Sequence, residues 1–258
     1  MKVVILAGGY GTRLSEETQV RPKPMVEIGD EPIIWHIMKI YSYYGFNDFI
    51  ICAGYKQDII KQYFSNYFFS HGDFEVDTQN DRSTVLRKPD ESWNVKIVDT
   101  GISTMTGGRI KRIKSLLDGE TFMLTYGDGL ADINIQEVVE YHKSHKKYAT
   151  ITAVKPVGRF GALVLSEDGK VVQFTEKPPG DGIWVNGGYF VLEPEVIDLI
   201  ENDNTVWEEG PLSSLAISDQ LVAYKHHGFW RPMDTMSDKR FLERFWSDNS
   251  APWKVWNK

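Results

Sequence analysis

Cysteine is nearly absent from this 258-residue chain: Cys52 stands alone, so no intramolecular disulfide framework can form. A reducing compartment, the cytoplasm, is therefore expected. Long apolar runs are missing as well. Nowhere do roughly 18 apolar residues follow one another, as a membrane-spanning helix requires. The opening stretch Met1-Lys2-Val3-Val4-Ile5-Leu6-Ala7 meets glycine too early to read as a signal peptide. No membrane association is expected. Positive charge is in deficit, with 29 Lys and Arg against 36 Asp and Glu for a net charge of −7. That argues against a duplex nucleic acid partner, whose binding rests on cations neutralising phosphates. Small anions stay open, because a few local cations and backbone amides suffice for them. The six histidines show neither His-x-x-x-His nor His-Glu-x-x-His spacing, which disfavours zinc. There is no internal repeat, low-complexity tract or convincing linker.

What is present is an ordinary globular composition, 41% hydrophobic and 25% charged, enough for one large α/β domain. Val3 to Ala7 and Phe49 to Ala53 read as short, fully buried parallel strands. Between them a helix is expected from about Pro32, with Asp30 as its N-cap and Ile33, Ile34, Ile37, Met38 and Tyr41 on one face. Asp58 to Tyr67 reads as a second helix and Phe122 to Tyr126 as a third buried strand. Alternation in Phe74-Glu75-Val76-Asp77 and Val95-Lys96-Ile97-Val98 predicts antiparallel strands or an excursion from the sheet. Helices are expected near Asn134 to His145, Pro194 to Glu201, Gly210 to Ile217 and Ser237 to Trp246. The prediction is one Rossmann-like α/β domain with a mixed, mostly parallel sheet flanked by helices and a smaller antiparallel portion. Its nucleotide-binding half would span about 1–130 and its sugar-phosphate half about 131–258.

The first chemical signal is Leu6-Ala7-Gly8-Gly9-Tyr10-Gly11-Thr12-Arg13-Leu14. Glycines just past a buried strand let the backbone approach a ligand and aim amide N–H groups at an anion. Arg13 adds a permanently charged fork suited to phosphate oxygens. A tight turn without chemistry would also use such glycines. A Walker A loop is excluded, since Thr12-Arg13 does not supply its Gly-Lys-Ser/Thr. A dinucleotide fingerprint is also excluded: Leu14 follows where a third glycine belongs, and Gly54-Tyr55-Lys56 after the second strand offers no acid for a ribose. The second signal is Arg21-Pro22-Lys23-Pro24-Met25, a lysine on a stiffened segment that loses little entropy on gripping a ligand. A surface connector reads the same way.

Together these blocks resemble the sugar-phosphate nucleotidyltransferases, the nucleotide-sugar pyrophosphorylases. Gly127-Asp128-Gly129, Glu176-Lys177-Pro178 and Asn186-Gly187-Gly188 are similar to later landmarks of that family, in the family's order. Within it, Ser103-Thr104-Met105-Thr106-Gly107-Gly108-Arg109 and Phe229-Trp230-Arg231-Pro232-Met233-Asp234-Thr235 resemble the branch that joins CTP to glucose 1-phosphate. The resemblance implies nucleotide binding by Leu6, Ala7, Gly8, Gly9, Gly11, Thr12, Arg13, Lys23, Thr104, Arg109 and Asp128. Arg13 and Lys23 are its catalytic candidates, and Gly161, Glu176, Lys177 and Asn186 are those for the sugar phosphate. It implies a homo-oligomer, with a hexamer suggested, and a place in 3,6-dideoxyhexose supply for lipopolysaccharide O-antigen.

Asp128, at the carboxyl end of a strand, and Asp234, far along the chain, would suit Mg2+, which takes one or two carboxylates plus phosphate oxygens. Asp128 alone would equally mark a turn, and Glu176-Lys177 alone an exposed ion pair. Asp132 reads as an acid at a helix N-terminus. Two rival functions fit these residues less well. A glycosyltransferase commonly carries Asp-x-Asp, whereas Asp128 is followed by Gly129-Leu130. A non-catalytic sensor has no need to keep Arg13, Lys23, Asp128, Lys177 and Asp234 together. Cys52 reads as a small buried hydrophobe, and the aromatic tail with Trp246, Trp253 and Trp256 as packing against the body or a neighbouring subunit.

Overall fold

The computed structural model describes residues 1–156, 162–166, 168–175 and 183–257. Seven strands make the main sheet: β1 (Val3–Ala7), β2 (Asp48–Ala53), β3 (Asn94–Asp99), β4 (Phe122–Tyr126), β5 (Ala149–Val154), β6 (Val185–Leu192) and β7 (Leu221–Lys225). Their order is β7-β5-β6-β4-β1-β2-β3. Only β6 runs against its neighbours; every other pairing is parallel. The sheet is therefore mixed and mostly parallel, as expected.

Alternation explains why β1 sits at the centre. Val3, Ile5 and Ala7 enter the apolar cluster on one face, while Val4 enters the cluster on the other. A strand apolar on both faces must be covered by helices on both. One cover is α1 (Ile33–Tyr43), whose stripe of Ile33, Ile34, Ile37, Met38, Ile40 and Tyr41 is buried. The others are α2 (Gln57–Ser65), α3 (Thr106–Arg112), α4 (Ile135–His145), α5 (Pro211–Ile217) and α6 (Met236–Ser247). Asn134 caps α4 by accepting from Glu137 N, and Thr235 with Asp238 forms a capping box on α6.

Three local expectations are corrected. Val95 to Val98 belongs to β3, a parallel edge strand paired with β2, because its half-buried residues still serve the main sheet. Asp30 does not cap α1; Pro32 holds the N-cap position, and Glu31–Pro32 pairs with Glu27–Ile28 instead. Asp58 to Tyr67 is two helices, broken at Asn66 before Tyr67–His71. Among the described residues four small antiparallel pairs accompany the main sheet, including Asp73–Asp77 with Arg82–Arg87 and Ala162–Leu165 with Val171–Thr175. No helix among the described residues is long and apolar enough to cross a membrane.

Candidate active site

The chain leaves β1 for β2 and β3 on one side, then returns to β4 on the other, so a crevice opens where the carboxyl ends of β1 and β4 diverge. A cavity of about 540 Å3 lies there. Leu6, Ala7, Gly8, Gly9, Gly11, Thr12 and Arg13 line it together with Lys23, Thr104, Arg109, Asp128 and Asp234. Every nucleotide and metal candidate from the sequence is thus brought to one place.

Asp128 and Asp234 meet through a small ladder. Gly129–Ala131 pairs antiparallel with Trp230–Pro232, and Met233 N donates to Asp128 O at 2.8 Å. Lys23 then bridges both carboxylates, with Nζ 2.6 Å from Asp128 Oδ2 and 2.7 Å from Asp234 Oδ1. Burial alone would lower the Lys23 pKa, but attraction and hydrogen bonding from Asp128 and then Asp234 outweigh it and raise it. Arg13 reaches Asp234 Oδ2 at 3.3 Å while its side chain stays 77% exposed at the mouth of the cavity.

The two acids fit a Mg2+ ion on the chemistry of the donor set. The two carboxylates already hold one positive charge, that of Lys23, both offer hard oxygen donors, and they border a cavity of about 540 Å3. No cluster of three or more metal-ligating side chains gathers among the described residues.

Arg109 is committed more firmly than the sequence indicates. It is 4% exposed, and its guanidinium donates to Gly8 O, Ala53 O, Gly101 O, Ile102 O and Thr100 Oγ1 at 2.7–3.5 Å. It therefore ties the loops after β1, β2 and β3 while bordering the cavity. Gly8 is required by this clamp: a Cβ there would lie 2.0 Å from Arg109 Nη1. Two basic residues that follow it pair at the surface, Arg112 with Asp203 and Lys114 with Asp198.

On the sugar-phosphate side the agreement is partial. Gly161, Glu176 and Lys177 lie outside the described residues. Asn186 lines neither cavity; its Nδ2 donates to Tyr126 Oη at 3.1 Å and its Oδ1 accepts from Gly188 N at 2.8 Å. A second cavity of about 250 Å3 adjoins the first, lined by Gly187, Gly188, Tyr189 and Trp230 and sharing Arg13, Tyr126, Asp128 and Asp234 with it. Sequence reasoning missed Tyr126 and Glu208. Tyr126 ends β4, and the rule that ligands meet strand carboxyl ends could have found it. Glu208 carried no sequence signal. Asp132 stands two residues before Asn134, the N-cap of α4, with its Oδ1 3.0 Å from His226 Nε2. Cys52 is buried, and that burial pushes its thiol up to about 12.

The model of the nucleotidyl transferase family matches residues 2–248. The chain is 57% identical over 257 residues to a glucose-1-phosphate cytidylyltransferase of Salmonella typhi, covering 99% of this chain and 100% of the relative. It is 30% identical to a mannose-1-phosphate guanyltransferase of Emericella nidulans, covering 94% of this chain and 62% of that protein. In fold it resembles a UDP-glucose pyrophosphorylase crystallised with UDP-glucose, with a TM-score of 0.68 over 96% of this chain and 98% of that one at 17% identity. With the loop, the lysine and the two acids gathered at one sheet crevice, the chain belongs to the nucleotidyl transferase family.

Proposed function

We propose that this chain is a Mg2+-dependent glucose-1-phosphate cytidylyltransferase, converting CTP and α-D-glucose 1-phosphate into CDP-glucose and pyrophosphate. One observation carries the reading: Lys23 bridges Asp128 and Asp234 within the cavity that the glycine loop lines. The choice of CTP and glucose rests on the full-length likeness to the Salmonella relative.

A phosphate oxygen of the sugar phosphate attacks the α-phosphorus; one P–O bond forms as the bond to the β-phosphate oxygen breaks, and the electron pair leaves with pyrophosphate. No general base is needed, because the nucleophile is already ionised at neutral pH. The protein must chiefly align two anions and neutralise their charge. Amides of residues 8–13 and Arg13 receive the triphosphate. Lys23 faces charge developing at the α-phosphate. A Mg2+ held by Asp128 and Asp234 supplies further charge neutralisation when bound. Lys177 and Glu176 are assigned to the sugar phosphate, with Gly161 allowing close approach.

The same reading takes residues 1–130 as the nucleotide half and 131–258 as the sugar half of one domain. It makes the protein a cytoplasmic homo-oligomer, a hexamer by resemblance, that feeds dideoxyhexose and O-antigen synthesis. A panel of nucleoside triphosphates with glucose 1-phosphate and Mg2+, followed by pyrophosphate release, tests it. CTP should be fastest. No release with CTP would end the reading.

A further inference from the structure

The two cavities share a wall. Tyr126, the last residue of β4, borders both the chamber of the glycine loop and the chamber beside Gly188 and Trp230. Two residues on, Asp128 borders both as well. On the transferase reading, a group moving between ligands in the two chambers would cross the wall that Tyr126 helps to form.

The ring is anchored at its tip. Tyr126 Oη donates to Glu208 Oε1 at 2.5 Å and accepts from Asn186 Nδ2 at 3.1 Å. Glu208 Oε2 accepts from Thr106 Oγ1 at 2.7 Å, and that hydroxyl accepts in turn from Trp207 N at 2.9 Å. The carboxylate is thereby fixed to the first turn of α3. The phenol O–H is the donor of this pair and the Glu208 carboxylate the acceptor. The ring face has clearance only because residue 188 is glycine: a Cβ there would lie 2.6 Å from Tyr126 Cδ2, and its φ of +79° suits glycine besides. These are the features of a partition held still, with a charge-assisted hydrogen bond as its strongest anchor.

We propose that Glu208 and Asn186 are positioning residues that act through Tyr126, locking its ring as the partition that sets the alignment of sugar phosphate and α-phosphorus. The inference rests on the transferase reading above. It follows from the geometry of in-line transfer, where a displacement of about 1 Å costs about 100-fold in rate. Releasing the tip of the ring should disturb alignment more than it disturbs the binding of either substrate.

Tyr126→Phe, Glu208→Gln and the double variant test this on whichever nucleoside triphosphate the wild-type protein turns over. Tyr126→Phe keeps the ring volume and so decides the matter if Glu208→Gln fails to fold. The expected result for each single variant is a kcat lower by about 10- to 100-fold, with both KM values within about threefold. The double variant should fall within about threefold of the slower single variant, because Tyr126→Phe removes the link whose charge assistance Glu208→Gln removes. An unchanged kcat in Tyr126→Phe would overturn the inference, as would a loss carried by KM for one substrate or losses that multiply. These outcomes leave wild-type turnover intact, so they strike the positioning role alone. Absence of pyrophosphate release from the wild-type protein with every nucleotide would instead strike the transferase reading and, with it, this inference.

Discussion

Lys23 is a cation whose neighbours decide its behaviour. With Asp128 and Asp234 at 2.6 and 2.7 Å, its raised pKa means that the folded state holds the proton more tightly than the unfolded chain does. Its stabilising contribution is complete below the ordinary lysine value of 10.5 and is lost only as pH rises through the higher folded value. Between pH 7 and 10 no loss of pyrophosphate release should trace to this residue. Replacing it by alanine leaves two carboxylates facing each other and removes the charge aimed at the α-phosphate. Turnover should fall roughly 100- to 1,000-fold, the scale of losing one preorganised transition-state donor, while the circular dichroism spectrum stays that of the wild type. Near-normal turnover in Lys23→Ala would take the lysine out of the mechanism. That Lys23 stands on a stiffened segment was legible from its flanking prolines, Pro22 and Pro24. Its grip on two acids from distant segments was not, since nothing in the neighbourhood of a lysine encodes which carboxylates fold onto it.

Among the elements, the loops after β1, β2 and β3 owe their mutual placement to Arg109 on α3. Four backbone carbonyls and one hydroxyl converge on that guanidinium, and three of them, Gly8 O, Ala53 O and Thr100 Oγ1, are bonded out of contact with solvent. Arg109→Ala should therefore cost about 3 kcal/mol, on the scale of losing hydrogen bonds to a charged donor and leaving buried acceptors unmet. Urea unfolding would read this directly, and a loss under about 0.5 kcal/mol, the size of an ordinary surface change, would refute the clamp. Gly8→Ala should weaken nucleotide binding by displacing the same guanidinium. The strands β1, β2 and β4 were readable because both of their faces are apolar. The parallel role of β3 was not, because an edge strand alternates like an antiparallel one and its partner is invisible in sequence. The same holds for the ladder of Gly129–Ala131 with Trp230–Pro232: three residues on each side carry too little pattern to announce a pairing across the chain.

For the whole molecule, the carboxyl-terminal tail closes over α1. Trp253 is fully buried, and its Nε1 donates to His36 Nδ1 at 3.4 Å, while His36 Nε2 donates to Ile28 O at 2.9 Å. Burial holds the pKa of His36 down to about 4. A histidine lowered in the folded state is protonated first in the unfolded one. Its contribution is complete above the ordinary 6.5 and is lost as pH falls toward 4. That difference corresponds to about 3 kcal/mol between the two limits. His142, also lowered chiefly by burial, adds in the same direction. Urea midpoints at pH 7, 5.5 and 4.5 should fall steadily for the wild type and less steeply for His36→Gln; parallel curves would remove His36 as the source. The packing of the aromatic tail against the body was one of two readings the tryptophans allowed. The structure shows Trp253 against His36 and leaves the subunit contact as a proposal.

The sequence by itself determined the local chemistry: a glycine loop after a buried strand, a stiffened lysine, an acid at a strand end and buried strands wherever apolar runs were short and unbroken. These depend on residues close together in the chain, whose geometry the backbone dictates. Tertiary structure alone decided that Asp234 joins Asp128 under Lys23, that Arg109 serves three loops, that Asn186 turns toward Tyr126, and that Glu208 belongs to the site at all. Each of those is a contact between segments far apart in the chain, and it forms because burying the sheet on both faces brings those segments to one crevice.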